Sequence, residues 1–184
     1  AAQVLEWAKT IGGAGSDTCS YFQQTADDGY ILVGNTNSYG RGGCADTLYM
    51  KLDSTGNKEW VKTYGGNLCD YGSYIIQKDD GGYIFIAHSP VSGVSWNIHI
   101  VKTDNLGNRN LCRKVAGGTV RDSSFLIKKT IDGSYILFGI TKNFGSSGYD
   151  FYLMKFNSGI GTEWTKAIGG AQDEGSTANQ GDSI

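Results

Sequence analysis

The chain has 184 residues, of which 16 are Lys or Arg and 18 are Asp or Glu, for a formal net charge of −2. That balance leaves no basic field for nucleic acid or an anionic membrane surface, and no run approaches the roughly 18 apolar residues of a membrane span. With 28 Gly, one Pro and 12% aromatic residues, the composition excludes disorder and predicts many tight turns within a single domain.

The N-terminus opens on Ala1-Ala2 and lacks the basic-then-apolar layout of a secretory leader. Residues 1–10 match the last strand of a unit that then repeats along the chain. The segment WAKTIGGAGSD begins at Trp7, returns as WVKTYGGNLCD at Trp60, degenerates to CRKVAGGTVRD at Cys112, and returns as WTKAIGGAQDE at Trp164, at intervals of 53, 52 and 52 residues. A period of this size marks a repeat architecture. Within the first unit, runs of β-formers predict strands over 20–25, 30–36, 47–53 and 58–64, separated by Gly, Asp and Asn clusters. The turns Asp27-Asp28-Gly29, Asp80-Gly81-Gly82 and Asp132-Gly133, and one hairpin later Ser54-Thr55-Gly56-Asn57 and Asn105-Leu106-Gly107-Asn108, carry residues able to take positive φ. Units over about 11–64, 65–116 and 117–170 follow, and 171–184 opens another. No helical period is present. Four-stranded antiparallel units of this length describe β-propeller blades, so the expected fold is an all-β, propeller-like array of about three full repeats plus partial repeats at both ends.

The motifs W-x-K-T-x-G-G-x-x-x-D from Trp7, D-G-x-Y-I-L-x-G-x-T from Asp132 and D-x-Y-x-x-K-L-D-x-x-G-N, approached from Asp46 and from Asp150, resemble the bacterial and archaeal propeller repeat called SBBP. The resemblance covers nearly the whole chain. It implies a propeller fold and a secreted or cell-surface setting, and it says little of function. The second repeat departs most from the pattern: His88-Ser89-Pro90 replaces Gly-x-Thr, Asn97 replaces the motif Asp, and Cys112 replaces the Trp. An irregular loop from Pro90 to Trp96 is expected there.

Three blades are fewer than the four to eight that close a propeller. The chain is therefore a fragment of a longer propeller, closes on itself through its N-terminal strand, or complements the ends of neighbouring copies in a head-to-tail ring or filament.

Cys19, Cys44, Cys69 and Cys112 contain no C-x-x-C pair, which argues against a zinc site and permits two disulfides in an oxidising compartment, with buried free thiols as the alternative. Cys19–Cys44 is the preferred bridge and Cys44–Cys69 its rival. Asp17, Asp70 and Asp122 recur four residues after the second Gly of their GG pairs and Asp173 three after its own; as a set they are either a ring of cation or sugar ligands or carboxylates bonding their own turns, and recurrence favours the turns. Trp7, Trp60 and Trp164, like Lys51, Lys102 and Lys155, belong to the repeat by the same argument. Residues that break the repeat are the ligand-binding candidates: Trp96, His88, His99, Tyr39, Arg41 and Phe144, whose aromatic members suit sugar rings or a partner protein. No nucleophile elbow, zinc-protease helix or phosphate loop is present, so no enzyme, cofactor or metal is expected. The sequence reading is an extracellular structural or interaction protein that pairs with copies of itself through terminal strands, with a glycan-binding propeller as the alternative.

Overall fold

The computed structural model describes residues 7–40, 44–92, 95–116, 123–142 and 148–170. Among them the regular structure is all β, with twelve strands in three four-stranded antiparallel sheets and no helix. Sheet 1 runs β1 (Asp17–Gln24), β2 (Tyr30–Thr36), β3 (Asp46–Leu52) and β4 (Lys58–Tyr64) in spatial as in chain order. Sheet 2 repeats this with β5 (Tyr71–Gln77), β6 (Tyr83–Ser92), β7 (Ser95–Thr103) and β8 (Arg109–Ala116), and sheet 3 with β9 (Ser123–Lys129), β10 (Tyr135–Thr141), β11 (Asp150–Phe156) and β12 (Thr162–Ile168).

The first hairpin of every sheet closes on the same loop. Thr25 N–H donates to Gly29 O at 2.9 Å and Asp28 N–H to Thr25 O at 3.0 Å, and Lys78/Gly82 and Thr130/Ser134 repeat the pattern. Positive φ falls on Asp28 (61°), Gly81 (80°) and Gly133 (80°), which matches the strand twist at a tight hairpin. The last hairpin of each sheet is fixed by one side chain. The Asp53 carboxylate accepts from the N–H groups of Thr55 and Asn57 at 2.9 and 2.8 Å, Asp104 accepts from Leu106 and Asn108 at 2.9 and 2.7 Å, and Asn157 Oδ1 accepts from Gly159 and Gly161 at 3.0 and 2.9 Å. The left-handed residue here is Gly56, Gly107 and then Ile160, at φ 77°, 74° and 56°.

Alternation along the middle strands gives each sheet two apolar faces. Ile31, Val33 and Tyr49 of sheet 1 pack with Ile75, Tyr83, Phe85 and Val101 of sheet 2. On its other face sheet 2 sends Ile84, Ile86, Ile98 and Ile100 against Tyr135, Leu137, Tyr152 and Met154 of sheet 3. The third cluster, Leu48, Met50 and Leu52, lies on the remaining face of sheet 1 and is closed over by Ile11 and Tyr39.

Three expectations are corrected. The first strand begins at Asp17 rather than residue 20, because Asp17 to Cys19 pair with Thr36 to Gly34 and the ladder continues past a bulge between Cys19 and Tyr21. Residues 90–92 and 95–96 are strand where the sequence predicts an irregular loop. β6 and β7 continue to pair through Pro90↔Trp96 and Ser92↔Ser95, with a bulge between Pro90 and Ser92. β5 stops pairing at His88, so Pro90 has a neighbouring strand on one side only, where a missing N–H is tolerated. Finally, the preferred Cys19–Cys44 bridge is not formed: the disulfide is Cys44–Cys69, with Cα atoms 4.9 Å apart. Asp70 N–H donates to Ala45 O at 2.8 Å and brings the two loops together, whereas Cys19 is held in the β1 ladder opposite Gly34.

Candidate interaction site at the two ends of the array

The internal junctions define how one sheet receives the next. Trp60, on the outer strand β4, lies over the last hairpin of sheet 2, where a Cβ added to Gly107 would stand 2.8 Å from its ring. The same indole meets Tyr83 edge-on at 5.8 Å, and Lys62 Nζ donates to Asn108 Oδ1 at 2.9 Å. Residues 7–10 reproduce these contacts one sheet earlier. A Cβ on Gly56 would stand 2.8 Å from the Trp7 ring, Trp7 meets Tyr30 edge-on at 5.9 Å, and Lys9 Nζ donates to Asn57 Oδ1 at 2.5 Å. Residues 7–10 thus occupy the place of an outer strand against sheet 1, although they are not themselves in a strand.

At the far end the corresponding groups face outward. Ile31, Val33, Thr47 and Tyr49 of sheet 1 and Ile84, Ile86, Ile98 and Ile100 of sheet 2 are buried, but their equivalents in sheet 3, Ile136, Phe138, Phe151 and Leu153, are only half-buried. Phe125, Phe138 and Phe151 form a ladder of rings at 5.9 and 5.6 Å, with Phe125 exposed at its end. All seven residues of β12 are exposed. Trp164, the counterpart of Trp60, has among the described residues the Lys166 ammonium over its ring, at 5.7 Å.

The recurring charges serve the sheets. The Asp17 carboxylate accepts from Thr36 Oγ1 at 2.5 Å, Gly13 N–H at 2.8 Å and Ser38 Oγ at 2.7 Å, which hold it below the usual carboxylate range. Asp70 likewise accepts from Gly66 N–H at 2.9 Å and from the Ser89 hydroxyl. Lys51 is buried between Asp27 at 2.9 Å and Glu59 at 3.5 Å, and Lys155 pairs with Asp132 and with Glu163 at 3.1 Å. Sheet 2 differs: Lys78 takes the turn carboxylate of Asp80, and Lys102 Nζ donates to Ser158 O across the junction. Asp122 and Asp173 lie outside the described residues.

The repeat-breaking candidates do not converge. His88 Nε2 lies 3.1 Å from Ser124 N and 2.9 Å from its hydroxyl, on the face of sheet 2 toward sheet 3. His99 points to the opposite face, where Nδ1 is 2.8 Å from Tyr64 Oη. Trp96 packs on Tyr71 with ring centres 5.3 Å apart, and the Tyr39 hydroxyl donates to Gly12 O at 2.8 Å. Arg41 and Phe144 lie outside the described residues. Spacing gave no sign of one cluster. Cys112 Sγ stands 3.2 Å from Tyr64 Oη and 3.5 Å from His99 Nδ1; these groups are 13 to 48 residues apart and meet only once the two sheets pack. Burial lowers the affinity of His99 for a proton, and the Tyr64 phenol is pushed up by burial and by its bond to Cys112. Beside them a groove of about 290 Å³ is lined by Tyr64, Asn67, Asp70, Ser89 and Arg109.

Among the described residues no group of three or more His, Cys, Asp or Glu is arranged to hold a metal ion, and no helix is long and apolar enough to cross a membrane. The chain matches no protein-family model and none of the curated proteins.

Proposed function

We propose that this chain is an extracellular structural protein built from propeller-type blades, which associates head to tail with copies of itself. The observation that carries the reading is the outward face of sheet 3. Its four middle-strand positions bear Ile136, Phe138, Phe151 and Leu153, and the same positions are buried wherever another sheet follows. An apolar face repeated in this way calls for one more sheet of the same kind, and a second copy brings one. The contact is heterologous, so it propagates as a ring or a filament according to whether its rotation closes. The Cys44–Cys69 disulfide supports an oxidising, extracellular setting.

Light scattering of the purified chain, followed by electron microscopy of the same sample, tests the reading. Particles of many chains with a regular axial repeat are expected. A single-chain mass at high concentration overturns it.

A further inference from the structure

Three tryptophans occupy the outer-strand position, at 7, 60 and 164, but only two hairpin glycines receive them, Gly56 and Gly107. Trp60 fills the second. Trp7 fills the first, and among the described residues Trp164 is left over, 37% exposed on a strand with no buried residue. The third hairpin offers no further socket, because Ile160 stands where Gly56 and Gly107 stand, and its side chain is itself buried. The remaining contacts follow the same count: Lys9 and Lys62 find Asn57 and Asn108, while Lys166 lies over its own strand's Trp164.

We propose that Trp164 and Lys166 of one copy seat on Gly56, Tyr30 and Asn57 of the next, and that the N-terminal segment 7–10 is an internal occupant of that site which the incoming strand must displace. The inference rests on the self-association reading and names its contact. The partner is a second copy because its β12 carries the residue pair that fits this socket twice within the chain, Trp followed two residues later by Lys, on a strand flanked by an apolar face of the matching kind. Trp7 is the weaker occupant. Among the described residues, 7–10 form no strand, whereas β12 is paired along its length with β11. A rigid strand loses less conformational freedom on docking than a free segment does.

The two occupants are separated by comparing Trp7→Ala, Trp164→Ala and the parent chain by light scattering over a concentration series, with thermal melts to show that each remains folded. Trp164→Ala is expected to raise the concentration needed for assembly by about thirtyfold, the loss that follows from truncating one central interface tryptophan. Trp7→Ala is expected to lower it, since the socket is then empty. Lys166→Glu, which keeps the fold of an exposed strand, is expected to act in the direction of Trp164→Ala. Assembly that is unchanged by Trp164→Ala, or lost in Trp7→Ala while the melt is retained, overturns the inference and leaves self-association standing. A parent chain that stays monomeric overturns both.

Discussion

Between sheets 2 and 3 the indole-over-glycine contact is missing, and two substitutions keep the junction filled. Leu111 stands opposite Lys102 as Trp60 stands opposite Lys51, so Leu111 and not Cys112 holds the outer-strand position of sheet 2, and the last hairpin of the next sheet carries Ile160 at the left-handed position otherwise held by glycine. A β-branched residue at φ 56° costs of order 1–3 kcal/mol, which is offset when the side chain replaces the volume of the lost indole; Ile160 is indeed within the core of this junction. Leu111→Trp alone is expected to overpack and destabilise, and Ile160→Gly alone to leave a cavity. Together they should recover about 0.5–3 kcal/mol relative to the sum, measured as a double-mutant cycle by denaturant unfolding; an additive result would mean that the two positions do not share space. His99 adds a pH dependence on the other face of sheet 2. Its folded form is kept neutral by burial first, opposed by Asp70 and reinforced by Lys114. The unfolded imidazole protonates near 6.5, so the stability it contributes is complete above that pH and is lost as pH falls below it. Melting temperature followed from pH 7.5 to 5.5 should decline, and His99→Phe should flatten the decline.

At the scale of the strand and hairpin, the sequence was most legible where one residue decides the backbone. Gly56 and Gly107 mark left-handed positions, and Asp53 and Asp104 mark the carboxylates that tie the same hairpins. Strand ends were less legible. Polar residues such as Asp17 and Thr18 are drawn into β1 by partners in β2, and nothing local distinguishes them from loop. Pro90 reads locally as a breaker and is harmless only because β5 ends opposite His88. The hairpin carboxylates predict an acid limit. Asp53 is lowered to about 2 by its bonds with Asn57 and Thr55, and Asp27 to about 2 by Thr25 and then Lys51. Asp132 is lowered first by Lys155 and then by Thr130. Folded values below unfolded ones give stability that is present above about pH 3.9 and disappears as pH falls through the folded values. The β-sheet circular dichroism signal should therefore show melting temperatures that fall steeply between about pH 4 and 2 and change little between 4 and 5. A flat acid limb would show that these turns are equally bonded in the unfolded chain.

For the whole molecule, the period of about 52 residues revealed the three sheets, but it contained no information on which faces meet. The Cys44–Cys69 bridge shows why. Cys19 and Cys44 belong to one unit and looked the better pair, while the bond formed spans the junction between sheets 1 and 2. The cluster of Tyr64, His99 and Cys112 was hidden for the same reason, since each member comes from a different strand and one from a different sheet. The bridge closes a 25-residue separation, for which restriction of the unfolded chain gives about 3 kcal/mol. Reduction under native conditions should lower the free energy of unfolding by that amount, and Cys19→Ser should not; an equal effect of both would deny the bridge its role at the junction.

A chain of near-identical units faces a hazard of its own during folding, because any outer strand can pack against the wrong neighbour and any unit can be skipped. Ile160 limits that error. Its side chain fills the space that an indole would require, so Trp60 can settle on sheet 2 and not on sheet 3, and a chain that omits its middle unit meets a closed site instead of a matching one. The one junction without a glycine thus fixes the order of the sheets, and a variant with glycine restored there should refold with a larger misassembled fraction even where its final stability is unharmed.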